Sequence, residues 1–224
     1  MPLRNVRVTN QYIKGRFTAA FFVPVSALCI LGLCLCPAAC NRPQERVQYE
    51  SAQSEWREGD IVLRCGYGFE SRAVTQRSRS VYSHVGLLHY DSLSGEWQVV
   101  HAVPAEDEPE YVKAEPVSIF FSRERARKGA WLRVKCGDEQ ARAATTYALR
   151  KVADRVLFDN DYSLEDTTQL YCTELVWRAY QTQGIDVSGG GRQEAPMFVC
   201  KDGEGIFPTH IEKSETTLFV TPSA

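Results

Sequence analysis

The chain has 224 residues, a formal net charge of −2, 44% hydrophobic residues and 24% charged ones. This is ordinary for a globular protein of one domain with an additional terminal segment. The charge balance argues against a nucleic-acid partner, because phosphate recognition needs clustered basic residues. There is no internal repeat and no low-complexity tract.

Arg4, Arg7, Lys14 and Arg16 precede an apolar run from Phe17 to Ala39, and no acidic residue occurs before Glu45. A basic stretch, an apolar stretch and small residues in that order make a secretory signal, expected here over residues 1–39. Pro37-Ala38-Ala39-Cys40 resembles a bacterial lipobox, which implies lipid on Cys40; Pro37 departs from the usual aliphatic or small residue at that place. The alternative is an uncleaved anchor, since the run is about long enough to span a bilayer. On both readings the domain is tethered to a membrane outside the cytoplasm, in the cell envelope. Cleavage before Cys40 takes four positive charges from a chain of −2 and leaves −6.

Residues 40–55 are polar, contain a proline and read as a tether, with the folded domain expected over 56–224. Glu58 to Arg64 reads as a turn followed by a strand, with Asp60 closing the turn through its side chain. Gly66 to Ser80 reads as a loop with a helical turn around Glu70 to Thr75. Val81 to Tyr90 and Glu96 to Val103 are rich in strand formers and flank the turn cluster Asp91-Ser-Leu-Ser-Gly95, which predicts a hairpin. Period two puts Tyr82, His84, Gly86 and Leu88 on one face of the first strand and Trp97, Val99, His101 and Val103 on one face of the second. Pairing of Tyr90 with Gly95 sets His84 directly opposite His101; a shift of two in the pairing makes them diagonal neighbours on the same face.

Residues 104–116 are acidic and contain prolines, which predicts a loop with one edge strand at Tyr111 to Lys113. Val117 to Arg127 reads as a short helix and Gly129 to Lys135 as a strand. Asp138 to Asp154 reads as a helix with Asp138 as its N-cap. Asn160, Asp161 and Tyr162 suggest a turn able to line a cleft.

The stretch Leu170 to Gln183 reads as a helix that starts close to Cys172 and stops at Gly184, with Leu175, Val176, Ala179 and Tyr180 as its apolar stripe. A cysteine in a first helical turn faces unpaired backbone N–H groups and the positive end of the dipole. Both favour the thiolate, which is the nucleophile; the competing reading is a buried structural thiol. Glu174 sits where a carboxylate complements the dipole and reads as structural. Beyond Gly189-Gly-Gly191, the pieces 196–199, 206–208 and 218–220 read as strand ends or packing loops. Cys65, Cys136, Cys172 and Cys200 lack the close paired spacing of a zinc site, and in an oxidising compartment some can pair.

Ser83-His-Val-Gly86, Val100-His-Ala102 and Tyr171-Cys-Thr-Glu-Leu175 in that order resemble the circularly permuted papain-like cysteine hydrolases of the NlpC type, with bacterial permuted papain-like amidases nearest and the lecithin–retinol acyltransferase group more distant. Histidine before cysteine is the permuted order. The resemblance spans Trp56 to Ile211. It implies an α+β fold in which a central antiparallel sheet carries the cysteine helix. It implies Cys172 as nucleophile, His84 as general base and His101 as the polar third member, where many relatives carry glutamate. It implies the Cys172 N–H as one oxyanion donor; Tyr67 is the candidate for the second. Tyr67, Ser83 and Tyr171 are the candidates to border the substrate cleft, with packing as the alternative for Tyr171. His89 is expected to be structural, and His210 is unassigned.

The expected activity is a thiol hydrolase cleaving an amide or ester, in a cell-wall peptide or an acylated substrate, through an acyl-enzyme thioester, with no cofactor and no metal. An acyltransferase using the same thioester, a binding protein on an inactive scaffold, and a zinc site of Cys172, His84 and His101 are the alternatives.

Overall fold

The computed structural model describes residues 47–104, 110–194 and 200–220. The expected signal over 1–39, the lipidation candidate Cys40 and the piece at 196–199 lie outside the described residues.

In chain order the elements are β1 (Ile61–Cys65), α1 (Phe69–Ser78), β2 (His84–Asp91), β3 (Glu96–Ala102), β4 (Val112–Pro116), α2 (Val117–Phe120), β5 (Lys128–Val134), α3 (Asp138–Ala153), β6 (Leu157–Phe158), β7 (Gln169–Leu170), α4 (Cys172–Gln181), β8 (Gln193–Glu194), β9 (Glu204–Gly205), α5 (Pro208–Glu212) and β10 (Thr217–Phe219). Six strands form one antiparallel sheet in the order β10-β5-β1-β2-β3-β4. This is an α+β fold, and the helix that begins at Cys172 packs on the sheet.

Alternation along the strands gives the sheet two apolar faces. Ile61, Leu63, Val85, Leu87, Val100 and Leu132 face α3 and α4. Val62, Leu88, Val99 and Trp131 face the other way and meet Trp56, Val117, Phe120 and Phe121. Val47, Tyr49 and Ala52 belong to that second layer, and Glu50–Glu55 winds into a 3-10 helix. The tether expected over 40–55 is therefore packed structure from Val47 onward. Its three apolar residues, spaced by polar ones, are too few to show a period.

The α4 stripe is as expected: Leu175, Val176, Ala179 and Tyr180 are fully buried. Removing side chains of this size from water contributes about 1.5–3 kcal/mol each for the larger ones. The Tyr180 hydroxyl donates to the Gly59 carbonyl at 2.6 Å, so the buried phenol is satisfied. Gly59 has φ +81°, and a Cβ there would meet Ala141 O at 2.8 Å, so the turn before β1 needs glycine. Asp60 accepts from the Arg57 N–H at 3.0 Å and also takes Arg133 in a two-point grip at 2.9 and 2.7 Å, which ties the start of β1 to β5.

Several boundaries differ from expectation. The helical turn near Glu70 is the ten-residue α1. The helix expected from Val117 to Arg127 stops at Phe120 and continues as turns. Gly137, not Asp138, is the N-cap of α3, with the Gln140 side chain accepting from the Gly137 N–H at 3.2 Å. The edge strand lies at Val112–Pro116 rather than Tyr111 to Lys113. The hairpin pairs Asp91 with Glu96 and Tyr90 with Trp97, so the Tyr90–Gly95 register does not form. Gly95 sits in the turn at φ +73°, and its N–H closes onto Asp91 O at 2.8 Å. The two histidines are consequently diagonal neighbours rather than directly opposed.

That register sets Gly86 against His101. A Cβ at Gly86 would lie 2.5 Å from Val99 Cγ1 and 3.0 Å from both His101 Cβ and Val100 O. Gly86→Ala is expected to cost about 1–3 kcal/mol by overpacking. Urea unfolding checks this, and an unchanged midpoint would mean the strands part freely at this place.

Candidate active site

The start of α4 is fastened from three sides. Tyr171, extended at ψ 170°, precedes it and donates its N–H to Glu174 Oε2 at 3.4 Å. Thr173 Oγ1 donates to the Ile206 carbonyl at 2.6 Å, and the Ile206 N–H donates to the Tyr171 hydroxyl at 3.1 Å. Glu174 is fully buried and pairs with Arg178 Nε at 2.6 Å, the structural role expected of it. Burial lifts its carboxyl to about 7 against the pull of Arg178.

Cys172 is 8% exposed. Burial pushes its thiol up to about 11, while the N–H groups of Val85, Thr173 and Cys172 and the Arg64 cation pull the other way. The helix end does favour the anion, as expected, but desolvation outweighs it. Burial thus makes the thiolate, which the helix start favours, the costlier form of Cys172.

Val85 follows His84 at the start of β2, so the sulfur lies beside that strand end. Among the described residues Cys172 makes no side-chain hydrogen bond to either imidazole. His84 and His101 do meet: His84 Nε2 and His101 Nδ1 are 2.8 Å apart. His101 Nε2 stands 3.1 Å from Glu115 Oε1, bent away from a linear hydrogen bond. Glu115 also takes Lys113 Nζ at 3.1 Å and Arg125 Nη1 at 2.9 Å. The Phe120 ring covers both imidazoles, with centroids 5.8 and 5.2 Å away. Arg64, paired with His84 across β1 and β2, donates Nη1 to Phe120 O at 2.9 Å and lies 4.5 Å over that ring.

This is a nearly dry site. Burial drives His84 well below the usual imidazole range, and Arg64, His101 and Lys113 add to that. Burial lowers His101 to about 4, although Glu115 opposes the shift. For Glu115 burial acts upward, but the contact with His101 and the charges of Lys113 and Arg125 outweigh it and hold the carboxyl far below its ordinary range. Burial lowers Arg64 to about 10, with Glu115 and Cys172 resisting. The arrangement is two neutral imidazoles, one carboxylate and a neutral thiol.

The other expected site residues fall differently. Tyr171 is 2% exposed, 5.2 Å from the Tyr162 ring, and fastens the segment before α5, so it packs in the core rather than bordering a cleft. Ser83 is buried; its Oγ accepts from the Gly66 N–H at 3.2 Å and its own N–H donates to Arg64 O, which ties down the loop after β1. Tyr67 lies in that loop with a buried hydroxyl that has no partner among the described residues. His89 is bonded to Glu58 at 2.7 Å, away from the site. His210 lines a cavity of about 680 Å³ with Arg79, Ser188, Thr209 and Lys213, which includes none of Cys172, His84 and His101. Cys65, Cys136, Cys172 and Cys200 are all free thiols, so no disulfide joins them.

Nothing in the sequence alone marks Glu115 and Arg64. Glu115 is only a carboxylate within Val-Lys-Ala-Glu-Pro, one short alternating stretch of the acidic segment. Arg64 is the one charged residue of β1, but only the pairing with His84 gives it meaning.

Residues 55–217 match the family described as permuted papain-like amidase enzyme, YaeF/YiiX, C92 family. The chain belongs to that family. No curated protein sequence matches it. Among solved structures it is similar to the metalloprotein YiiX from Escherichia coli O157:H7, at 21% identity and a TM-score of 0.60, over 75% of this chain and 97% of that one. That likeness concerns the fold. Membership makes the protein a hydrolase of the permuted papain-like amidase kind. The residues of this chain do not suit a metal at the cysteine. The two imidazoles are bonded to each other, and no three His, Cys, Asp or Glu side chains among the described residues group to hold an ion.

The neutral thiol has a measurable signature. Alkylation of Cys172 by iodoacetamide is expected to be slow at pH 7.5 and to rise about tenfold per pH unit until it levels near pH 11, since only the thiolate reacts. Peptide mass spectrometry across that range checks this; a plateau below pH 8 would show a resting thiolate.

Proposed function

We propose that the protein is an extracytoplasmic cysteine hydrolase that cleaves an amide or ester bond through an acyl-enzyme thioester. Cys172 is the nucleophile, His84 the general base and His101 the third member. One observation carries this reading: the thiol of the α4 first turn adjoins the residue after His84, and the His84 imidazole is held by His101 at 2.8 Å.

With both groups neutral, the proton leaves sulfur as sulfur attacks. The Cys172 S–H proton passes to His84, the sulfur–carbon bond forms and the carbonyl becomes an oxyanion. Collapse expels the amine or alcohol, which takes the proton from His84, and a thioester is left. Water, deprotonated by His84, attacks the thioester carbon; the acid departs and Cys172 regains its proton. The Cys172 N–H is one oxyanion donor, and the unpartnered hydroxyl of Tyr67 is the proposed second. A donor of this kind contributes roughly 3–4 kcal/mol in comparable sites.

The substrate class proposed is a cell-wall peptide or an acylated small molecule or lipid. The basic and apolar segment 1–39 with Cys40 supports a membrane-tethered place in the cell envelope. Acyl transfer to an acceptor other than water uses the same thioester; product analysis with and without added amine or alcohol separates the two.

Cys172→Ala is expected to reduce kcat by at least 10³-fold, on the scale seen when a nucleophile is removed, while the thermal midpoint changes by only a few degrees. Full activity in that variant ends the proposal. Glutamate in relatives implies that His101→Glu would retain function, but Glu115 lies 3.1 Å from His101 Nε2 in this chain. Two carboxylates would then share one dry pocket. His101→Glu is expected to lose as much activity as His101→Ala, measured as kcat/KM of the two purified variants.

A further inference from the structure

The site contains a buried carboxylate that the mechanism above does not use. Glu115 is 7% exposed, stands on the strand next to His101, and is gripped by Lys113 and by both oxygens' contacts with Arg125 at 3.1 and 2.9 Å. A carboxylate in so dry a place needs donors on every oxygen. The remaining neighbour of Oε1 is His101 Nε2.

A neutral imidazole carries one proton, on one nitrogen. If His101 carried it on Nδ1, a bare Nε2 lone pair would face the Glu115 oxygen 3.1 Å away, which is repulsive. With the proton on Nε2, His101 donates toward the carboxylate and its Nδ1 is an acceptor. The atom 2.8 Å from that acceptor is His84 Nε2, which must therefore be the N–H of its own ring. Nδ1 of His84 is then the nitrogen with a free lone pair. The proton positions of both rings follow in sequence from one carboxylate.

We propose that Glu115 is a positioning residue that fixes the tautomers of His101 and, through it, of His84, leaving the His84 Nδ1 lone pair to take the thiol proton. This rests on the hydrolase reading only in its last step; the tautomers themselves do not depend on Cys172. It also makes the third member a relay of two side chains, His101 and Glu115. When His84 gains a proton, its charge is met by the hydrogen bond to His101 and, beyond that ring, by an ionised carboxylate 3.1 Å from His101 Nε2. Lys113 and Arg125 keep that carboxylate ionised and directed away from solvent, while Arg64 faces the rings from β1.

The chain has only four histidines, so histidine labelled with ¹⁵N in the full chain gives an assignable spectrum. At pH 7.5 His84 and His101 are both expected to show a protonated Nε2 and a bare Nδ1. Glu115→Gln is expected to mix the tautomers of both rings and to lower kcat by about 10²–10⁴-fold, the range for a triad imidazole held in the wrong tautomer, with KM within about threefold. Glu115→Asp is expected to recover the tautomers and most of kcat. A bare Nε2 on either ring of the unaltered protein overturns the proposal, and that spectrum requires no variant to fold. Unchanged tautomers and kcat in a folded Glu115→Gln also overturn it. Should Cys172→Ala retain turnover while the spectrum is as expected, the hydrolase assignment fails and the carboxylate's control of the rings stands.

Discussion

The site depends on desolvation. His84, His101 and Glu115 sit on one face of a six-stranded sheet, the two imidazoles under Phe120, and each is less than a tenth exposed. In that setting each polar atom must be matched by another, so the contacts are few and directional. The same dryness keeps both imidazoles neutral and overrules the dipole of α4 at Cys172. A chemistry that begins from uncharged partners, with the proton moving during attack, follows from where the residues are buried rather than from which residues they are.

The scaffold brings this about with modest means. Gly86 allows β3 to approach β2 closely under His101, and the two-residue shift in the hairpin makes the rings meet diagonally. The antiparallel neighbour β4 carries Glu115 to the far side of His101. Across the sheet, Tyr180 on Gly59 and Thr173 on Ile206 hold the helix that presents the sulfur. The family match runs over residues 55–217, the stretch that contains all of these elements.

Much of this was legible from residue order. The α4 stripe and the hairpin strands have the two periods that burial imposes, and histidine before cysteine in the right sequence context identified the permuted family. Three features were not legible. The hairpin register is set by the left-handed Gly95 in a turn whose residues allow more than one pairing. The core role of Val47, Tyr49 and Ala52 has no period long enough to detect. The pull of burial on the Cys172 thiol depends on how much of the fold covers it, a tertiary quantity that the helix start alone does not reveal. Glu115 eluded the sequence for a related reason: an acidic residue is remarkable only when its burial and its partners ten to fourteen positions away are known.

Every proton-handling group hangs from three adjoining strands, and the sulfur alone comes from a helix on the opposite layer. The two halves rest on separate clusters of buried side chains. Loss of the sulfur would leave the contact between the two imidazoles in place, and a loosened imidazole pair would leave the bonds that seat the start of the helix untouched.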